Sequence, residues 1–337
     1  MKWLLNSFII ITAILCSSPK GFAQDFNSGK NIISIETGHH KDVTLVGLIQ
    51  GNKIRPEKIK ANVFIPNGCE NKKTFPAIII DHDSGGPNRS FYKQFPLELM
   101  NSGFVVVVPD HYSTRGIKTT AGDKQGSLSY GARFYDVMQT LKTVASLPCV
   151  NPKRIGITGY SFGGQMAMLA VEKRFSSMFA EGLFFKAAMP VYPACERVQR
   201  KTSPTKTKVL IVGGQLDTNT PFSTRKNLLP YYKKNGWQIS LFEVEGAYHN
   251  FIFDEPPKHT SSATFADCGL RWMELDGTIT AEKFGINIRS ETPKDWKDLV
   301  AAAVKSGCVK RGYIYGGREK DRALIKELTI DFFRKNL

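Results

Sequence analysis

The sequence predicts an α/β fold: a mostly parallel central sheet flanked by helices, with an antiparallel N-terminal lead-in and a C-terminal helical elaboration. Three observations carry this reading. Short apolar runs rich in β-branched residues alternate with helix-period segments over most of the 337 residues. Several runs, such as Phe104 to Pro109, are continuously apolar, as strands covered on both faces are. Finally, 42% apolar and 23% charged residues is ordinary globular usage, which excludes a disordered chain, a collagen-like fibre and a coiled coil. A chain this long buries enough apolar surface to fold without a structural metal or disulfide.

The first element is a leader. Met1-Lys2 is positive, Trp3 to Cys16 is mostly apolar, and Gly21 and Ala23 are small residues suited to cleavage before Gln24. That order reads residues 1–23 as a secretory signal and the protein as secreted or periplasmic. The apolar run, roughly 14 residues, is too short to span a bilayer comfortably. Ile32 to Glu36, Val43 to Ile49 and Ala61 to Ile65 then alternate and lie close together, which predicts an antiparallel lead-in.

Strands of the parallel sheet are expected at 77–81, 104–109, 154–159, 186–192, 209–213 and 239–244. Helices are expected between them at 91–102, 129–147, 162–174 and 222–235. The pattern loosens through 254–293, a segment placed to act as a lid or rim, before helices at 294–306 and 319–335. No repeat or long linker divides residues 24–337, so a single domain is expected.

Charge and cysteines bound the partners. The 46 Lys+Arg against 30 Asp+Glu give +16, and losing Lys2 and Lys20 with the leader brings this to +14. The cations are scattered, with no zinc-ligand spacing and no RNA-binding aromatic signature, so no nucleic acid partner is expected. A solvated basic face is one reading left, and a weak attraction to an anionic cell envelope or to an anionic substrate is the other. Beyond the leader stand Cys69, Cys149, Cys195, Cys268 and Cys308, an odd number in a disulfide-permissive compartment. Cys268 and Cys308 flank one late segment and form the favoured pair. No two cysteines have metal-finger spacing, and no metal is expected.

Chemistry concentrates at three places. Gly159-Tyr160-Ser161-Phe162-Gly163-Gly164 follows an expected strand and opens an expected helix. A G-x-S-x-G run in that context sets the serine on a sharp strand-to-helix turn with its hydroxyl exposed. A serine needs a base within hydrogen-bond reach, and the base needs a carboxylate to orient it. Asp217 stands just past the strand 209–213, and His249 just past the strand 239–244. Parallel strands bring both loops to the edge that bears Ser161. The order Ser161, Asp217, His249 also suits this chemistry. For the oxyanion, one donor is the N–H of Phe162. The second comes from His82-Asp83-Ser84-Gly85-Gly86, where either Asp83 or Ser84 serves, with Ser84 preferred. His82 reads as structural, since one base suffices.

These motifs, with Val107-Val-Pro-Asp110-His-Tyr-Ser-Thr-Arg115-Gly116, Val191-Tyr-Pro-Ala-Cys195 and Tyr248-His-Asn-Phe251, resemble the dienelactone hydrolase family of α/β-hydrolases. The likeness is to its exported branch and covers roughly residues 60–255. It implies an α/β-hydrolase fold and a carboxylic ester hydrolase acting on a small-molecule ester without a cofactor. Founding members of the family use a cysteine nucleophile where this chain has Ser161, so their substrate preference does not carry over. Their carboxylate-binding arginines have no secure counterpart. Arg115 is a candidate for substrate binding, and equally for fixing the loop 110–116. Tyr160 and Phe162 are candidates for lining the acyl pocket, or for packing beside the turn. Two other readings remain: a peptidase on the same fold, and a non-catalytic binding protein that keeps it.

Overall fold

The computed structural model describes residues 28–337 without 72 and 195, so the expected leader and Cys195 lie outside the described residues. The chain opens with β1 (Gly29–Gly38), α1 (Leu45–Gln50), β2 (Pro56–Ile65), β3 (Phe75–Asp81), α2 (Phe91–Asn101) and β4 (Val105–Asp110). It continues through α3 (Tyr130–Ala145), β5 (Val150–Tyr160), α4 (Phe162–Leu169), α5 (Lys173–Phe179), β6 (Ala187–Val191) and β7 (Arg197–Gln199). Next come β8 (Lys208–Gly214), α6 (Phe222–Lys234), β9 (Gln238–Val244) and β10 (Lys258–Thr264). The short strands β11 (Arg271–Met273), β12 (Ile279–Ala281) and β13 (Ile286–Ile288) precede α7 (Pro293–Lys305), β14 (Lys310–Tyr315) and α8 (Glu319–Asn336).

Eight strands form the main sheet in the order β1-β2-β4-β3-β5-β6-β8-β9. The β1–β2 and β2–β4 pairs are antiparallel and every later pair is parallel. The continuous apolar runs have a direct cause. Along β3, Ala77 and Ile79 enter one hydrophobic cluster, with α3 and α4, while Ile78 and Ile80 enter the other, with α2 and α8. Both faces of the strand are covered, so period-two alternation in polarity has no reason to exist.

Two elements depart from expectation. Residues 43–49 were expected as a strand, but 45–50 form a helix. Thr44 caps it by accepting a hydrogen bond from the Gly47 N–H, and Gly51, at φ +72°, ends it in the left-handed conformation. The expected helix 162–174 is two helices, separated where the buried carboxylate of Glu172 accepts from the Ser203 N–H and the Thr202 hydroxyl.

The loosened segment 254–293 is built of short strands. The strands β11, β12 and β13 join β7 in a four-stranded sheet, and β10 pairs with β14. Cys268 and Cys308 are disulfide-bonded, as favoured, and a second bridge joins Cys69 to Cys149. No helix among the described residues is long and apolar enough to cross a membrane.

Candidate active site

The loop after β3, the turn after β5 and the loops after β8 and β9 all leave the same edge of the sheet, because these strands run parallel. Ser161 sits at φ 51° and ψ −107°, a conformation that costs of order 1–3 kcal/mol for a non-glycine residue. The surrounding glycines are needed for close approach. A Cβ on Gly159 would meet the Gly163 carbonyl oxygen at 2.2 Å, and one on Gly163 would meet the Asp81 carbonyl oxygen at 2.1 Å. The second contact seats the start of α4 against the end of β3, beside the loop 82–86. Being the first residue of α4, Phe162 has an N–H with no intrahelical acceptor and no other partner among the described residues.

Asp217 and His249 meet: His249 Nδ1 lies 2.8 Å from Asp217 Oδ2. Both side chains are buried. Asp217 Oδ1 accepts from the N–H groups of Asn219 and Thr220 at 2.8 Å each, and Oδ2 accepts from the Thr220 hydroxyl at 2.7 Å. Burial works to raise the Asp217 pKa, but the His249 charge and these hydrogen bonds together hold it below the ordinary carboxylate value. Close backbone packing brings the two loops together, since a Cβ on Gly214 would lie 2.5 Å from the Ala247 carbonyl oxygen.

Ser161 reaches this pair through a shared neighbour. Its N–H donates to the Val191 carbonyl at 3.0 Å, and the next ring, Tyr192, packs edge-on to the His249 ring at 4.9 Å. No hydrogen bond joins the Ser161 hydroxyl to His249.

The two candidate oxyanion donors separate cleanly. The Asp83 N–H is already committed to the Tyr92 hydroxyl at 2.9 Å. The Ser84 N–H has no partner among the described residues, while its carbonyl accepts from the Thr120 N–H and the Thr119 hydroxyl, both at 2.9 Å. Those two bonds fix the peptide plane that follows Ser84. The Asp83 carboxyl is buried, and burial raises its pKa against the opposing charge of Arg89, 3.8 Å away. His82 is fully buried, its Nδ1 lying 2.6 Å from the Asp83 carbonyl, and burial followed by the Arg133 charge pushes its pKa well down. It holds the loop, as read from the sequence.

Two candidate substrate contacts are corrected. Arg115 has a fully buried side chain, paired with Asp136 at 2.6 Å and with Glu57 at 2.6 Å. It also donates to the carbonyls of His111 and Gly38, so its contacts are those of the second reading, a side chain that fixes the loop 110–116. Tyr160 is 0% exposed, enclosed by the rings of Phe91, Tyr92 and Tyr192. As a strand residue it projects from one face of the sheet, into the cluster that α2 and α8 cover. Phe162 is half-buried, with its ring under the Arg133 guanidinium at 4.6 Å and tilted against Tyr130.

Sequence reading missed the ionic cluster beneath the loop. His111 bridges Asp81 at 2.8 Å and Asp136 at 2.9 Å, and Arg133 donates to Asp81 at 2.9 Å and to the His82 carbonyl. Single charged residues inside apolar strands and helices, namely Asp81, Asp136 and Arg133, were the available signal, since such residues are buried only when paired. Also missed was Tyr313 on β14, whose ring stands edge-on to His249 at 6.2 Å. The His249 carbonyl accepts from the Gly316 N–H at 2.8 Å, so β14 braces the histidine loop.

One group has ligand-like spacing: His39, His40 and Glu57 hold donor atoms within 4.8 Å of one another. Glu57 is bound by Arg115 and His39 lies 3.2 Å from an Arg55 nitrogen, which makes the group an ion-pair cluster.

A model of the dienelactone hydrolase family matches residues 59–274. The "Uncharacterized peptidase YuxL" of Bacillus subtilis is 26% identical over 221 residues, which are 55% of this chain and 32% of that protein. The chain thus spans about a third of that relative's length. A Synechocystis protein named "Putative carboxymethylenebutenolidase" is 22% identical over 203 residues, 56% of this chain and 80% of that one. A solved thermophilic esterase from Thermogutta terrifontis is 17% identical, with 58% of this chain and 80% of that chain covered at a TM-score of 0.47.

Proposed function

The chain belongs to the dienelactone hydrolase family, and from that premise we propose that it is an exported serine hydrolase of small carboxylic esters. The observation that carries the reading is the buried 2.8 Å pair of Asp217 and His249 at the sheet edge that also bears the strained Ser161 turn. Asp217 accepts a hydrogen bond from the His249 Nδ1–H, which fixes the tautomer and leaves Nε2 as the base. In this reading the Ser161 hydroxyl takes Nε2 as its hydrogen-bond acceptor. Oγ then attacks the ester carbonyl as its proton passes to His249. The N–H groups of Phe162 and Ser84 stabilise the oxyanion, each worth roughly 100- to 1,000-fold in rate. His249 protonates the leaving alcohol, and water, activated by the same imidazole, releases the acid from the acyl-enzyme.

Export has the support of the leader-like residues 1–23 and of two disulfides, which persist in oxidising compartments. The segment 254–293 acts as a rim: Thr264 at the end of β10 donates to the Thr218 carbonyl, one residue past Asp217. A peptidase is the second reading, favoured by the name of the Bacillus relative.

The test is hydrolysis of p-nitrophenyl acetate and of a peptide p-nitroanilide by the protein and by Ser161→Ala. We expect ester turnover that falls by several orders of magnitude in the variant. Equal turnover in both proteins would sink the proposal, and faster cleavage of the anilide would move it to the peptidase.

A further inference from the structure

The parallel strands have a second edge, where they begin, and cations collect there. The Lys186 N–H donates to the Ile155 carbonyl at 2.8 Å, and the Lys208 N–H donates to the Lys186 carbonyl at 3.0 Å. Arg154 on β5, Lys186 just ahead of β6 and Lys208 at the start of β8 therefore form a row along this edge, Arg154 and Lys208 on one face of the sheet and Lys186 on the other, and all three are exposed. Beside the start of β5 lies a groove of about 300 Å³. Lys73, Arg154 and Arg334 line it with Thr74 and Ser102, no Asp or Glu does, and Arg154 also donates through Nε to the Leu337 carbonyl oxygen. Arg334 arrives there because α8 ends at this edge, with Phe333 packed on Gly156 of β5. Asp331 lies 3.7 Å from Arg334, and both are largely exposed, so that pair is too weak to neutralise the row.

We propose that this edge docks on an anionic phospholipid surface, with headgroup phosphates against the row and the groove. Charge complementarity carries the inference, and so does the kind of cation. The row is mostly lysine, a flexible point charge suited to mobile headgroups. Single-stranded nucleic acid would need exposed rings on which bases stack. The rings at the groove, Phe75 and Phe104, are only 6% and 2% exposed. Docking at the strand starts leaves the Ser161 edge facing away from the lipid. Each lysine or arginine near a charged leaflet is worth roughly fivefold in partitioning.

Cosedimentation with vesicles tests this, using 30% phosphatidylglycerol in phosphatidylcholine against phosphatidylcholine alone at low salt. The variant Lys186→Glu/Lys208→Glu/Arg334→Glu is compared with Lys41→Glu/Lys53→Glu/Lys60→Glu, three exposed lysines just past β1, just before β2 and within β2, with the same change in net charge. Thermal melts of both variants, unchanged from the parent, verify folding. We expect binding to the anionic vesicles alone, lost at 0.5 M salt, and weakened at least about 100-fold by the first variant. The second variant should bind within a few-fold of the parent. Equal loss in both variants would reduce the effect to net charge and overturn the proposal. So would absence of vesicle binding, or retention of duplex DNA without retention of vesicles.

Discussion

Arg133 donates through Nη2 to the carbonyl oxygen of His82, the residue that opens the loop 82–86. The same guanidinium lies 4.6 Å above the Phe162 ring and donates from Nη1 to the Tyr112 hydroxyl at 2.9 Å. One buried side chain thus touches the backbone at the start of the loop 82–86 and the ring of Phe162, the two places whose N–H groups would hold the oxyanion. Replacing it with lysine keeps the charge and loses the planar fork. For Arg133→Lys we expect kcat on p-nitrophenyl acetate to fall about 10- to 100-fold with KM changed only a few-fold. A larger change in KM than in kcat would place Arg133 in general folding support instead.

Thr220 tests the acid. Its hydroxyl donates to Asp217 Oδ2 at 2.7 Å and is one of the groups that depress the Asp217 pKa. A depressed carboxyl contributes stability above its unfolded pKa and loses it as pH falls through the folded one. Thr220→Val should raise the folded pKa, so acid unfolding, followed by far-UV circular dichroism, should begin at higher pH. The lost bond should cost about 1–3 kcal/mol at neutral pH, measured by urea unfolding.

His111 has the opposite sign. Burial lowers its pKa, but the Asp81 charge and hydrogen bonds to Asp136 and Asp81 outweigh it and raise the value above 6.5. Stability from a raised histidine is fully present below the unfolded pKa and is lost as pH rises through the folded one. Urea unfolding should therefore show stability declining on the alkaline side of pH 6.5. His111→Gln should cost about 3–5 kcal/mol at pH 6 and flatten that decline, because it leaves two carboxylates facing Arg115 and Arg133 without the bridging cation. An undiminished decline in the variant would assign the pH dependence elsewhere.

The bridges should differ in weight. Cys69 and Cys149 are separated by 80 residues and Cys268 and Cys308 by 40, so the first closes the longer loop. Each should contribute about 3–5 kcal/mol, with the first somewhat larger. Paired Cys→Ser variants, melted under oxidising conditions, would measure both. If Cys268→Ser/Cys308→Ser melts lower than Cys69→Ser/Cys149→Ser, strain or residual structure outweighs loop length.

The sequence carried the parallel sheet in nearly every strand from 75 onward, because two-sided burial writes itself as unbroken runs such as Val105 to Val108. The meeting of Asp217 and His249 was legible for the same reason: each follows a strand of one sheet at one edge. Residues 45–50 misled, since a six-residue helix shows too few turns for its period to stand out against a strand. Arg115 and Tyr160 misled differently. Sequence places a residue beside a site, but only packing decides which way its side chain goes, and both go inward. Tyr313 could not be found at all, because β14 reaches His249 through a bridge between its last residue and that loop.

That bridge makes the histidine loop depend on residues far along the chain. Gly316 binds the His249 carbonyl, Arg318 the Glu245 carbonyl and Arg322 the Phe253 carbonyl, so the segment 316–322 holds the loop from outside the sheet. A protein cut by a protease ahead of Gly316 would keep Ser161, Asp217 and His249 in its sequence while the histidine loop loses all three of these bonds.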